Sequence, residues 1–84
     1  MNELTAIGID IDGNNNEFKV VDGKIFCFYR NLTELILPEG VEIVVCYGNK
    51  ITHLDLPDSV IFLLADKEVL GLERYIGEMH IELE

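Results

Sequence analysis

Hydrophobic positions along the chain fall into short blocks with period-two alternation, and apolar runs of helical length and spacing are scarce. Residues 4–12 set Ile7, Ile9 and Ile11 to one side, the pattern of a strand. Gly13-Asn14-Asn15-Asn16 follows as a turn, and residues 17–21 read as a second strand. Asp22-Gly23 is a two-residue hairpin signal leading into a strand over 24–29. Near the other end, residues 69–77 carry Leu72 and Ile76 four apart, which predicts two helical turns. Residues 78–84 alternate again as a returning strand.

The centre of the chain repeats itself. An offset of nineteen lays residues 27–41 (CFYRNLTELILPEGV) over 46–60 (CYGNKITHLDLPDSV), with six of the fifteen positions identical. The identities are Cys27/Cys46, Thr33/Thr52, Leu35/Leu54, Leu37/Leu56, Pro38/Pro57 and Val41/Val60. Chance would supply about one, since even a common residue fills only about a tenth of a chain. Val41, Val44 and Cys46, then Asn49, Ile51 and Leu54, follow the leucine-rich-repeat template, apolar-x-x-apolar-x-apolar/Cys-x-x-Asn-x-apolar. Each coil of that architecture is a short strand, a turn in which Asn bonds backbone groups, and an extended return. Stacked coils bring the strands into one parallel sheet over a shared core. Nineteen residues leave no room for a helix on the return, and Pro38 and Pro57 suit an extended one.

The flanking coils are degraded. Upstream, Asp22 replaces the first apolar residue and Arg30 the Asn; downstream, Val60, Leu63 and Ala65 fit but Glu68 stands where Asn belongs. The expected fold is mainly β: a short leucine-rich-repeat-like solenoid with a parallel sheet, an N-terminal β-hairpin cap and a short C-terminal helix/strand cap. It is one domain over 1–84, with the hairpin cap in 1–22, about three coils in 23–69 and the second cap in 70–84. Val41, Val44, Cys46, Ile51, Leu54, Val60 and Leu63 are its expected core.

Alternation then sends the residues between the core positions to the opposite, concave face. They are Lys24, Phe26 and Phe28; Ile43, Val45 and Tyr47; and Phe62, Leu64 and Asp66. Seven of the nine are apolar or aromatic, whereas a solvated sheet face is polar. Phe26, Phe28, Ile43, Val45, Tyr47, Phe62, Leu64 and Asp66 are therefore the candidate partner-binding residues. Three covers satisfy such a face: the chain's own termini, a second copy in a homodimer, or a foreign protein.

Composition narrows the partners. An apolar fraction of 49% argues against disorder, and no apolar run approaches the ~18 residues of a membrane helix. Six basic against sixteen acidic residues give a net charge of −10, which repels phosphate backbones and anionic lipid surfaces. The first residues lack the basic and continuous apolar regions of a secretory signal, so a cytoplasmic location is expected, and the Asn31-Leu32-Thr33 sequon is idle there.

Candidate chemistry is thin. Asp10-Ile11-Asp12-Gly13-Asn14 starts like a calcium loop, but Asn15 and Val21 occupy the positions that need Gly and a bidentate Glu. Cys27 and Cys46 share one inward register without a His or third Cys, which predicts stacked core thiols rather than zinc ligands or a disulfide. His53 and His80 have no nucleophile or carboxylate at a catalytic spacing. No catalytic residue, metal or cofactor is expected, and the chain is read as a non-enzyme.

The run LTELILPEGVEIVVCYGNKITHLDLPDSV, with VLGLERYIG behind it, resembles small leucine-rich-repeat-like proteins of large tailed bacteriophages over residues 17–84. The resemblance implies a phage origin, the cytoplasm of an infected bacterial cell, and a role in binding or inhibiting a host protein. Two other readings stand beside it: a self-associating structural subunit, and an acidic nucleic-acid mimic that blocks a nucleic-acid-binding host factor.

Overall fold

Strands joined by connections of a dozen or more residues can pair in parallel, and the nineteen-residue spacing does this here. The computed structural model describes residues 4–84. Strand β1 spans Thr5–Asp10, β2 Asn15–Lys19, β3 Lys24–Phe26, β4 Leu32–Ile36, β5 Ile43–Val45, β6 Phe62–Ala65 and β7 His80–Leu83, with a 3-10 turn at Leu72–Tyr75. Strands β3, β5, β6 and β7 form one four-stranded parallel sheet in chain order. Ile25 pairs with Val44 and Val44 with Leu63, following the nineteen-residue offset, and Leu63 pairs with Ile81 at eighteen. The fold is mainly β.

The second layer holds the returning segments. Strand β4 joins β1 and β2 in an antiparallel sheet of order β2-β1-β4, and His53 bridges Leu70 in the next two returns. Between the layers lies the core: Ile25, Cys27, Val44, Cys46, Leu63 and Ala65 from the parallel sheet meet Leu32, Leu35, Ile51, Leu54, Leu56 and Leu72. All seven residues expected in the core are there, none more than 3% exposed.

The N-terminal hairpin finds a partner that alternation alone does not indicate. Its inward residues are Ala6 and Gly8; Ile7 and Ile9 are half-buried on the other side, and Ile11 is exposed. Gly8 permits a close approach, because a Cβ there would stand 2.7 Å from Leu32 Cδ2 and 2.9 Å from Phe18 Cε2. The turn is closed from within: Asp10 Oδ1 accepts the amides of Asp12 and Asn14, and Oδ2 accepts Asn16 Nδ2. Those bonds, the Asn14 amide foremost, hold its carboxyl below the usual range. The carboxylate of the calcium-like motif is thus committed to its own loop.

Asp22 and Gly23, at φ 54° and 73°, make the expected tight turn, and Val21 and Lys24 exchange backbone hydrogen bonds across it. The hairpin extends no further, since β2 is committed to β1 and β3 to β5. The expected strand over 24–29 accordingly stops at Phe26. The two helical turns expected over 69–77 reduce to the single 3-10 turn. Gly71 and Gly77, left-handed at φ 80° and 92°, bound the segment on both sides, and Ile76 is turned out rather than paired with Leu72. The first three residues of the expected cap 1–22 lie outside the described residues.

Side-chain ladders join successive returns. Asn49 Oδ1 accepts the amides of Arg30 (2.9 Å) and Leu32 (3.1 Å), while Nδ2 donates to the carbonyls of Cys27 and Cys46 (both 2.9 Å). On the opposite edge Ser59 Oγ accepts from Gly40 N and donates to Val41 O. After β6, Arg74 donates to the Leu54 carbonyl and to Asp55, and the Tyr75 hydroxyl accepts the Leu56 amide.

Candidate functional site: the outer face of the parallel sheet

Side chains alternate across a strand, so the rows flanking the inward Ile25, Val44, Leu63 and Ile81 project outward. Register fixes two of these rows: Lys24, Ile43, Phe62 and His80; and Phe26, Val45, Leu64 and Glu82. Beyond the strand ends Phe28 and Tyr47 stack with ring centroids 5.2 Å apart and planes 5° from parallel. Seven apolar candidates, Phe26, Phe28, Ile43, Val45, Tyr47, Phe62 and Leu64, thus come together on one surface, and none belongs to the core cluster.

Val45 at the centre is only 9% exposed, flanked in its row by Phe26 and Leu64. Around it the surface is open: Phe26 is 56% and Phe28 40% exposed, and Ile43, Tyr47, Phe62 and Leu64 are half-buried. Among the described residues neither terminal segment covers this face. The hairpin pairs with β4 in the other layer, and the C-terminal segment extends the sheet edgewise as β7. The molecule measures 33 × 32 × 16 Å, and its thin dimension suits two layers about 10 Å apart with no third.

Asp66 requires a correction. Its carboxylate accepts the amides of Gly48 (2.8 Å) and Asn49 (3.0 Å) and is directed at the preceding turn rather than at a partner. It therefore does for the second turn what Asn49 does for the first, the task that the repeat pattern assigns to the position of Glu68.

Two residues on this surface are absent from the candidate set. Tyr29, 71% exposed, lies edge-on to Tyr47 and Phe28, at centroid distances of 5.4 and 6.2 Å. Its backbone is left-handed at φ 56°, a conformation no tyrosine signals in advance. His80 stacks on Phe62 at 5.3 Å and 9°. A comparison at offset eighteen, Phe62 to His80, would have found it.

Little on the surface bears chemistry. Burial pushes the Cys27 thiol up to about 12 and raises that of Cys46 as well, so both are protonated, unreactive core groups. His53 Nδ1 lies 3.2 Å from Thr52 Oγ1, and His80 Nε2 lies 3.1 Å from Glu82; both histidines are exposed. Among the described residues no three His, Cys, Asp or Glu side chains are grouped to hold a metal ion. No helix among them is long and apolar enough to cross a membrane. Comparison with known proteins found no family model, curated protein or solved structure that matches the chain.

Proposed function

We propose that the chain is a non-catalytic protein–protein interaction module, which presents the outer face of its parallel sheet to another protein. One observation carries the reading: seven apolar and aromatic side chains share a sheet face that no other part of the described chain overlies. Such a face is stable in water only if it is small or covered, and interface centres are rich in this kind of aromatic surface. The strand offsets of nineteen, nineteen and eighteen, together with the Asn49 ladder, support a short leucine-rich-repeat-like solenoid. Solenoids of that kind customarily bind through this face. The net charge of −10 favours a protein over a nucleic acid or an anionic membrane. The resemblance to phage proteins adds a host protein in the bacterial cytoplasm as the target.

A double substitution, Val45→Glu with Tyr47→Lys, tests this without touching the inward row. The immobilised chain and the variant are each exposed to bacterial lysate at about 0.1 M and about 1 M salt, where the screening length falls from roughly 10 to 3 Å. The expected result is one protein retained at both salts by the parent and by neither preparation of the variant, with both chains giving the same circular dichroism. Retention by the variant would sink the reading. Retention at low salt alone would instead favour an acidic mimic of nucleic acid, whose contacts are charge pairs.

A further inference from the structure

The parallel sheet ends in an open strand. Among the described residues β7 pairs only with β6, and its backbone is directed alternately toward β6 and away from it. The amides of His80 and Glu84 donate to Ile61 and Ala65, so the even-numbered residues face β6 and those of Ile81 and Leu83 face outward. Beside this edge lies an open, mostly apolar groove of about 410 Å³, lined by Val69, Leu70, Leu72, Ile76, Ile81 and Leu83 together with the charged Lys67 and Glu73. Leu70, Ile76 and Leu83 are 59%, 72% and 50% exposed. A stacked β architecture normally closes its last coil with a polar surface, and an unpaired strand beside apolar side chains is a template for another strand.

We propose that the free edge of β7 pairs with β7 of a second copy of this chain, antiparallel and centred on Ile81. The pattern of the strand selects this occupant and register. A two-fold centred on any residue sets outward-facing amides against one another, and charge separates these registers. Centring on Glu82 would set that acid against itself, and centring on His80 would set Glu78 against Glu82. Centring on Leu83 would set Glu82 against Glu84 of the other copy. Centring on Ile81 sets His80 against Glu82 of the other copy at both ends, in the non-hydrogen-bonded positions where side chains approach most closely. Ile81 then meets its own counterpart, Met79 meets Leu83, and the two apolar grooves come together. Over His80–Leu83 the strand is self-complementary in charge, in apolar surface and in backbone direction; Glu78 and Glu84 come opposite one another only beyond its ends. This contact runs along the sheet's edge, touching the outer face only through His80 and Glu82 at its border, and it does not depend on the function proposed for that face.

Sedimentation equilibrium over a protein concentration series tests it. The parent is expected to rise toward twice its 9.5 kDa mass. Leu83→Pro removes an outward amide without altering the β6 ladder, and His80→Glu sets acid against acid; each should stay monomeric with unchanged circular dichroism. His80→Glu combined with Glu82→His restores complementarity and should recover the dimer even if the proline variant proves misfolded. The Val45→Glu, Tyr47→Lys chain should dimerise like the parent, which separates failure here from failure of the sheet-face reading. A parent that remains at 9.5 kDa, a folded Leu83→Pro chain that dimerises, or a double exchange that fails to restore association overturns the proposal.

Discussion

Asn49 fills both halves of its amide with backbone partners from two successive turns, and no shorter or charged side chain could do the same. Asn49→Ala strips two amides and two carbonyls of their partner at a half-buried site. With roughly 1–3 kcal/mol lost for each group that water cannot reach, a loss of about 2 kcal/mol is expected, read as a lower urea midpoint with unchanged slope. Leu54, 3% exposed between the layers, should cost more: Leu54→Ala removes roughly 2–5 kcal/mol, most of what a small domain has. Its cooperative melting transition at about 37 °C should disappear. The two thiols add a dependence on alkaline pH. Their folded pKa values are raised by burial, so their contribution is whole below the unfolded value of about 8.5 and declines as pH climbs toward the folded values, about 12 for Cys27. Stability should fall by about 1.4 kcal/mol per pH unit for each thiol over that window. Replacing both cysteines with Ala should remove this part of the slope in denaturant titrations at successive pH values.

At the scale of elements, what decides each strand's place is how many of its partners share the nineteen-residue spacing. Strands β3, β5 and β6 were legible because one offset fixes both their register and their inward row. The outer face followed from the same alternation, so seven of its eight candidate residues stand together there. Strand β7 was legible as a strand but not as the sheet's fourth member, since its offset from β6 is one residue shorter. Alternation of Ile7, Ile9 and Ile11 likewise announced β1 without its partner. The clue was Gly8, which is small enough to lie against Leu32 and Phe18, but closeness of approach is a tertiary fact. The 3-10 turn was overestimated because Leu72 and Ile76 have helical spacing, whereas the flanking glycines decide its length. Asp66 reads in the sequence as a residue of the face and not as a cap, because the capping group stands two residues upstream of the Asn position and is a carboxylate instead of an amide. Asp66→Ala should therefore act locally: hydrogen exchange at the Gly48 and Asn49 amides should quicken while that of β1 and β2 is unaltered. Equal acceleration everywhere would show that the carboxylate supports the whole fold instead.

Across the whole molecule, sixteen acids against six bases oppose the compaction that the apolar core drives. Parallel pairing concentrates this repulsion, because residues nineteen apart in β3, β5 and β6 lie one strand spacing, about 4.8 Å, from each other. The bond from Gly40 to Ser59 keeps the same offset just before β5 and β6. Glu39 and Asp58 are such a pair, both exposed or half-exposed at the edge where Ser59 bridges to Gly40 and Val41. Two consequences can be measured. Screening should relieve the repulsion, so the melting temperature should rise between about 0.01 M and 0.15 M sodium chloride, as the screening length drops from roughly 30 to 8 Å. Asp58→Lys should turn one repulsive neighbour into an attractive one and stabilise the chain by a few tenths of a kcal/mol, about 0.2–1 at most for an exposed pair. The gain should shrink as salt is added, which distinguishes a charge effect from better packing of the lysine stem. A melting temperature that falls with salt, or an Asp58→Lys gain that persists in about 1 M salt, would mean that the charges are too far apart or too well hydrated to oppose folding. The acidity would then have no effect on the stack itself, and its influence would lie in which surfaces the molecule is drawn to or kept from.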